Sequence, residues 1–300
     1  MNERATSRGT SLDRLVGFTI PGRHARGRLV RLGPALDRIL AAHEYPAPIQ
    51  RLLAEALVLT GLMGGLLKGE GSQLTLQAQT KGGVVELLVC DYRDGELRGY
   101  VQHDAERLAD LGDEPSLYEL FGDGHLAITF DLAATDQRYQ GVVPLEGSSL
   151  SAAVEVYFAQ SEQVPTLIRT AVDAGGKRNV GGGLLVQHLA DGEEGRERLH
   201  TRADHPEWEH VAVLAHSTKP DELVDVELPL EGLVWRLFHE EPEVRVQASV
   251  PLSRGCRCST VHFEEVLARF PKEDRRDMRD ENGIILVDCA FCSREFAIQD

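Results

Sequence analysis

Four of the chain's five cysteines fall within its last 45 residues. Cys256 and Cys258 form Cys-Arg-Cys, Cys289 and Cys292 form Cys-Ala-Phe-Cys, and thirty residues, Ser259 to Asp288, separate the pairs. Two close pairs across one loop suit a tetrahedral zinc with four thiolate ligands. The same thiols are also placed to form two local disulfides. Spacing alone favours a metal that simply holds a fold together. Reactivity is left open: Cys-x-x-Cys closes readily, and Arg254, Arg257 and Arg294 favour thiolate, whereas Asp288 and Glu295 oppose it.

The rest of the sequence sets the context for that cluster. Three hundred residues imply two or three parts. The net charge, 32 minus 48 or −16, disfavours nucleic acid, whose phosphates would be repelled. It suits a chain that stays soluble while touching sticky material. The opening residues MNERATSRGT hold no apolar run. The longest apolar stretch, Ala56–Leu67, is glycine-broken and too short for a bilayer. The expectation is a cytoplasmic chain with no membrane partner. In a reducing cytosol, clustered cysteines indicate metal or redox chemistry rather than a disulfide frame.

Along the chain, Leu15–Ile20 and Arg26–Leu32 read as strands, and Pro34–His43 and Ile49–Lys68 as helices. Gly61, Gly64 and Gly65 mark the second helix as one that packs closely on a sheet. Strand signals follow at Ser72–Thr80, Val84–Tyr92, Glu96–His103, His125–Asp131 and Tyr139–Pro144, with hairpin turns at Gly82-Gly83 and Asp94-Gly95. Helix Ser151–Gln163 and strands Pro165–Asp173 and Gly181–Leu189 complete a mixed, mainly antiparallel α+β domain. The charged run at Ala190–Arg202 gives a boundary.

From Ala203 to Pro251 the character changes. Short helical patterns at Trp208–His216, Lys219–Val224 and Leu230–His239 carry both tryptophans, Trp208 and Trp235, among many leucines. Helices this short depend on docking against a neighbour, and both tryptophans are expected to be packed. The interspersed acids read as a solvated helix face. In the tail, His262–Phe270 is amphipathic, Lys272–Glu281 is a charged helix, and Asn282-Gly283 turns between Ile284–Val287 and the Cys289–Cys292 knuckle, with a last strand at Arg294–Ile298. So few apolar residues need a metal to fold. The expected division is a core domain over residues 1–202, a metastable helical linker over 203–251 and a small zinc-binding domain over 252–300.

Other candidates are weaker. Cys90 reads as a small buried hydrophobe. His262 is a possible ligand but reads as a helix-face histidine, since four cysteines complete the shell. Gly175-Gly176-Lys177 and Gly181-Gly182-Gly183 fail the phosphate-loop spacing and read as turn and packing glycines. There is no sign of a catalytic triad or dinucleotide fingerprint, so no enzyme is expected.

Several blocks in order resemble the heat-shock protein 33 family of redox-regulated holdase chaperones. They are the cysteine motif, Tyr157–Thr166 (YFAQSEQVPT), Gly181–Leu189 (GGGLLVQHL), Trp208-Glu209-His210 and Leu233–Glu241 (LVWRLFHEE). The resemblance implies one Zn2+ held by Cys256, Cys258, Cys289 and Cys292 in a reduced, inactive state. It further implies that oxidative stress joins Cys256 to Cys258 and Cys289 to Cys292, that the metal is lost, and that the tail and linker unfold. The active form would be a homodimer that holds unfolding client proteins without ATP and passes them to ATP-dependent foldase chaperones. Trp208, Leu214, Leu233, Trp235, Leu237 and Phe238 are then candidates for client binding. The sequence departs from the family pattern in about ten extra N-terminal residues and in Ser-Thr-Val-His-Phe after Cys258, where a basic and acidic pair is expected.

Two rivals belong to other classes. A thiol–disulfide oxidoreductase using Cys289 and Cys292 needs a helix-start cysteine in a βαβ setting, whereas this motif reads as a hairpin. A nucleic-acid-binding zinc ribbon conflicts with the net charge.

Overall fold

A computed structural model describes residues 12–80, 82–176, 178–189 and 205–299. The N-terminal extension and the charged boundary over residues 190–202 lie outside the described residues. The first half runs β1 (Arg14–Ile20), β2 (Ala25–Leu32), α1 (Pro34–Leu40), α2 (Ala47–Gly64), β3 (Gln73–Gln79), β4 (Val85–Arg93) and β5 (Glu96–His103). It continues through α3 (Ala105–Ala109), α4 (Leu117–Phe121), β6 (His125–Leu132), β7 (Gln137–Pro144), α5 (Leu150–Tyr157), β8 (Thr166–Asp173) and β9 (Val180–His188). After the boundary come α6 (Pro206–His216), α7 (Pro220–Val224), α8 (Leu230–Phe238) and the short strands β10 (Arg245–Val246), β11 (Val250–Pro251) and β12 (Ser253–Arg254). The tail holds α9 (Thr260–Leu267), α10 (Lys272–Asp277), β13 (Ile284–Asp288) and β14 (Glu295–Gln299).

These elements make an α+β fold with two six-stranded sheets. One is ordered β10-β1-β2-β9-β8, with β11 also on β1; the other is β12-β5-β4-β3-β6-β7. All pairing is antiparallel except β12 beside β5. Helix α2 lies between the sheets and is buried on nearly every side, which explains why its apolar residues exceed one stripe. Its glycines permit the close approach expected of them: a Cβ on Gly64 would sit 2.2 Å from the Tyr92 ring.

Alternation along the first sheet gives it two apolar faces. Leu15, Val30 and Leu185 point to α2, while Val16, Phe18, Ile20, Leu29, Leu184 and Val186 point outward. That outer face is covered by α6, α7 and α8, which bury Trp208, Val211, Leu223, Leu230, Leu233, Val234, Leu237 and Phe238 against it. Phe18 and Phe238 meet with ring centroids 5.5 Å apart. The glycine run in β9 serves both faces. Gly183 admits Val58 and Leu62 of α2, and a Cβ on Gly182 would lie 2.1 Å from the Leu223 carbonyl oxygen of α7. The segment that sequence reads as metastable is therefore folded by docking, as helices of 11, 5 and 9 residues require.

The two tryptophans are not both packed. Trp208 is buried at 7% exposure, but Trp235 is 69% exposed. On α8 the buried residues follow i, i+3, i+4, i+7 and i+8 from Leu230, and position 235 falls on the opposite face. Trp208 has core packing to lose, whereas Trp235 only lies beside the His239 ring, 4.9 Å between centroids. Undocking of the helices should red-shift the fluorescence of the wild-type chain and of a Trp235→Phe variant, and leave a Trp208→Phe variant almost unshifted; emission spectra of the three proteins check this.

Candidate metal centre

Each cysteine pair is placed by local backbone structure. Gly255 follows β12 and donates its N–H to the Leu97 carbonyl at 2.9 Å, which sets Cys256 beside the edge of β5. Cys258 precedes Ser259, whose hydroxyl caps α9 by accepting from the His262 N–H. The other pair closes the β13–β14 hairpin. The Cys289 N–H donates to Arg294 at 3.0 Å, the Cys292 N–H to Cys289 at 3.1 Å, and Ser293 adopts a left-handed φ of 54°.

The four sulfurs converge. Cys256 Sγ lies 3.2 Å from Cys258 Sγ and 3.5 Å from Cys289 Sγ, and Cys258 Sγ lies 3.5 Å from Cys292 Sγ. All four fall within 4.8 Å of one another. Sulfurs about 2.3 Å from a shared tetrahedral zinc would stand roughly 3.8 Å apart, so this donor set fits the metal by number, type and spacing. The burial of Cys256 acts to raise its thiol pKa. The Cys258 N–H and the neighbouring thiols donate to its sulfur and outweigh burial, pulling it to about 7. Cys258 and Cys289 are pushed up, by burial first and then by sharing protons with that sulfur.

The knuckle also rests on the first half of the chain. The Ser293 hydroxyl donates to the Ala42 carbonyl at 2.6 Å, His43 Nε2 meets the Ala290 carbonyl at 2.7 Å, and the Arg98 guanidinium lies 4.1 Å from the Phe291 ring centre. The tail's own core is thin: Leu267, Ile285 and Ile298 are buried, with Phe263, Val287 and Phe296 partly covered. From this cluster the chain leads straight back to the docked helices. Leu252 is buried in the main core and β11 lies against β1.

The remaining sequence candidates separate clearly. His262 is exposed and outside the sulfur group. Cys90 is fully buried in β4, and burial raises its thiol pKa far above the ordinary range. Arg257 turns away from the sulfurs to Gln73, while Arg254 and Arg294 line the cavity beside them. Of the apolar candidates in the linker, Trp208, Leu233, Leu237 and Phe238 are buried, Leu214 is partly covered and Trp235 is exposed. Several acids of that segment are not a solvated face. Glu231 pairs with Arg14 at 2.8 Å and Glu241 with Arg23 at 2.9 Å, so the linker is pinned to β1 and the turn after it. Cys289-x-x-Cys292 ends a hairpin rather than starting a helix.

Sequence reasoning missed Arg31. It lies on the outer face of β2 and is fully buried. It donates to the carbonyls of Leu223 at 2.8 Å, Glu222 at 2.9 Å and Leu228 at 2.5 Å. A charge inside the apolar run LVRL was the available signal.

Among the described residues no helix is long and apolar enough to cross a membrane. A family model described as Hsp33 protein matches residues 13–299. A 33 kDa chaperonin of Caulobacter vibrioides is 39% identical over 306 aligned positions, covering 99% of this chain and 98% of that protein. One from Nitrosococcus oceani is 35% identical, covering 95% and 90%. The crystal structure of a 33 kDa chaperonin, a heat shock protein 33 homolog, from Thermotoga maritima shares the fold with a TM-score of 0.77 at 20% identity, covering 96% of this chain and 95% of that one.

Proposed function

The chain belongs to the Hsp33 chaperone family, and from this premise we propose that it is a redox-regulated, ATP-independent holdase of the cytoplasm. In this reading Cys256, Cys258, Cys289 and Cys292 are the ligands of one zinc in the reduced state. Residues 1–202, 203–251 and 252–300 act as core, linker and switch. The observation that carries the reading is the convergence of four sulfurs at a point joined, through β12 and β11, to helices that cover an apolar sheet face.

When bound, zinc cross-links two distant pieces of chain and keeps their thiols deprotonated. The thiolates are also the reactive groups. A sulfur that enters a disulfide loses the charge and lone pair that bind metal. The Cys256–Cys258 and Cys289–Cys292 pairs lie within reach, at 3.2 Å and inside 4.8 Å. With both pairs closed, the tail keeps only its thin core, β12 loses its anchor beside Cys256, and α6–α8 lose support. The uncovered surface includes Phe18, Leu184 and Val186 of the sheet and Trp208, Leu233, Leu237 and Phe238 of the helices. Such apolar area would bind unfolding proteins or a second copy of the chain, and in this reading the captured clients pass later to ATP-dependent foldases.

The direct test uses zinc-loaded protein treated with peroxide at mildly elevated temperature. Zinc release, loss of free thiols and suppression of a client's aggregation should rise together. Zinc loss without any suppression would remove the holdase reading, and retained zinc would remove the switch.

A further inference from the structure

A cavity of about 210 Å³ opens on the sulfur cluster, lined by Cys256, Cys258 and Cys292 together with Arg254 and Arg294. The two arginines come from separate elements, one from β12 and one from the residue before β14. Among the described residues neither guanidinium has a hydrogen bond or ion pair, whereas nearby Arg98 is held by Asp91 and Arg257 by Gln73. Two uncommitted cations at one small opening stand out in a chain of net charge −16. Guanidinium forks match the geometry of oxyanions, and a cleft lined by one sign of charge concentrates ions of the other.

We propose that Arg254 and Arg294 form an anion-binding mouth that admits peroxy-acid anions to the sulfurs and stabilises the oxyanion they leave behind. Its role in activation rests on the redox reading above; the binding and the rate preference do not. With peroxymonosulfate, a cysteine thiolate attacks the terminal peroxide oxygen and the O–O bond breaks. The sulfur becomes sulfenic acid and the electron pair leaves on sulfate: RS⁻ + HSO₅⁻ gives RSOH + SO₄²⁻. A second thiolate then displaces hydroxide from the sulfenic acid to form the disulfide. The leaving dianion gains most from two guanidinium groups at the same opening. Neutral hydrogen peroxide approaches without charge and gains less.

The test compares the rate of thiol loss in the reduced full-length protein with peroxymonosulfate and with hydrogen peroxide, at neutral pH and low salt. The proteins are wild type, Arg254→Gln/Arg294→Gln, and Arg254→Lys/Arg294→Lys. The glutamine pair should slow peroxymonosulfate about tenfold and peroxide less than twofold. The lysine pair should keep most of the wild-type preference, and added salt or inorganic sulfate should slow the wild type with peroxymonosulfate alone. The single Arg294→Gln variant, changed at an exposed position, should show the same preference in weaker form and serves if the double variant does not fold its tail. Equal slowing with both oxidants would mean that the arginines only sustain thiolate charge, and unchanged rates would mean that they do nothing; either overturns the mouth. Failure of the redox reading looks different: thiols are lost with the predicted preference, yet client aggregation is unaffected.

Discussion

Arg31→Met should free α6, α7 and α8 from the sheet while the four cysteines keep their metal. Arg31 is fully buried and donates to three carbonyls at the end of α7 and in the turn that follows. Gly182 brings that backbone close, because no Cβ separates it from the Leu223 carbonyl. Methionine keeps volume but leaves those carbonyls without their donor in a dry place. Each unsatisfied group costs about 1–3 kcal/mol. A five-residue helix has little propensity of its own to set against that. The surrounding ion pairs are partly exposed and add about 0–1 kcal/mol each. The variant should therefore bind a hydrophobic dye and suppress client aggregation without oxidant, with zinc content and the stability of the main core unchanged. A variant that stays silent until oxidised would show that apolar contact alone fastens the helices.

Removing one sulfur should have a larger structural effect. Cys289 is 5% exposed and sits where the hairpin closes. Serine at this position leaves three thiolates, and structural four-thiolate zinc contributes on the order of 10–16 kcal/mol of folding free energy in small domains. Three buried apolar residues cannot replace it. In Cys289→Ser the residues from Cys256 onward should lose their amide dispersion in NMR spectra, and bound zinc should fall well below one per chain. Undocking should follow, because the Ala290 and Ser293 contacts to His43 and Ala42 depend on the knuckle's shape.

Much of this was legible in the sequence where the physics is local. The cysteine spacing fixes donor type and number. Two-residue alternation marks β1, β2 and β9, and the glycines of α2 and β9 announce close packing. What escaped depends on distant partners. Arg31 meets carbonyls more than 190 positions away, and nothing near it in the chain says so. Strands β10, β11 and β12 have two residues each and exist because β1 and β5 offer open edges. Two misses were avoidable. Period 3.6 on α8 places Trp235 opposite Leu233 and Leu237, and Ser116 with Glu119 forms a capping box that marks α4.

Metal at the four cysteines should keep the helices docked on the sheet. Hydrogen exchange of the amides of residues 206–238 measures this directly, in zinc-loaded reduced protein and after oxidation. Slow exchange in the first state and fast exchange in the second, with β1 to β9 protected in both, is the expected result. Amides that stay protected after the zinc has left and the disulfides have formed would contradict it.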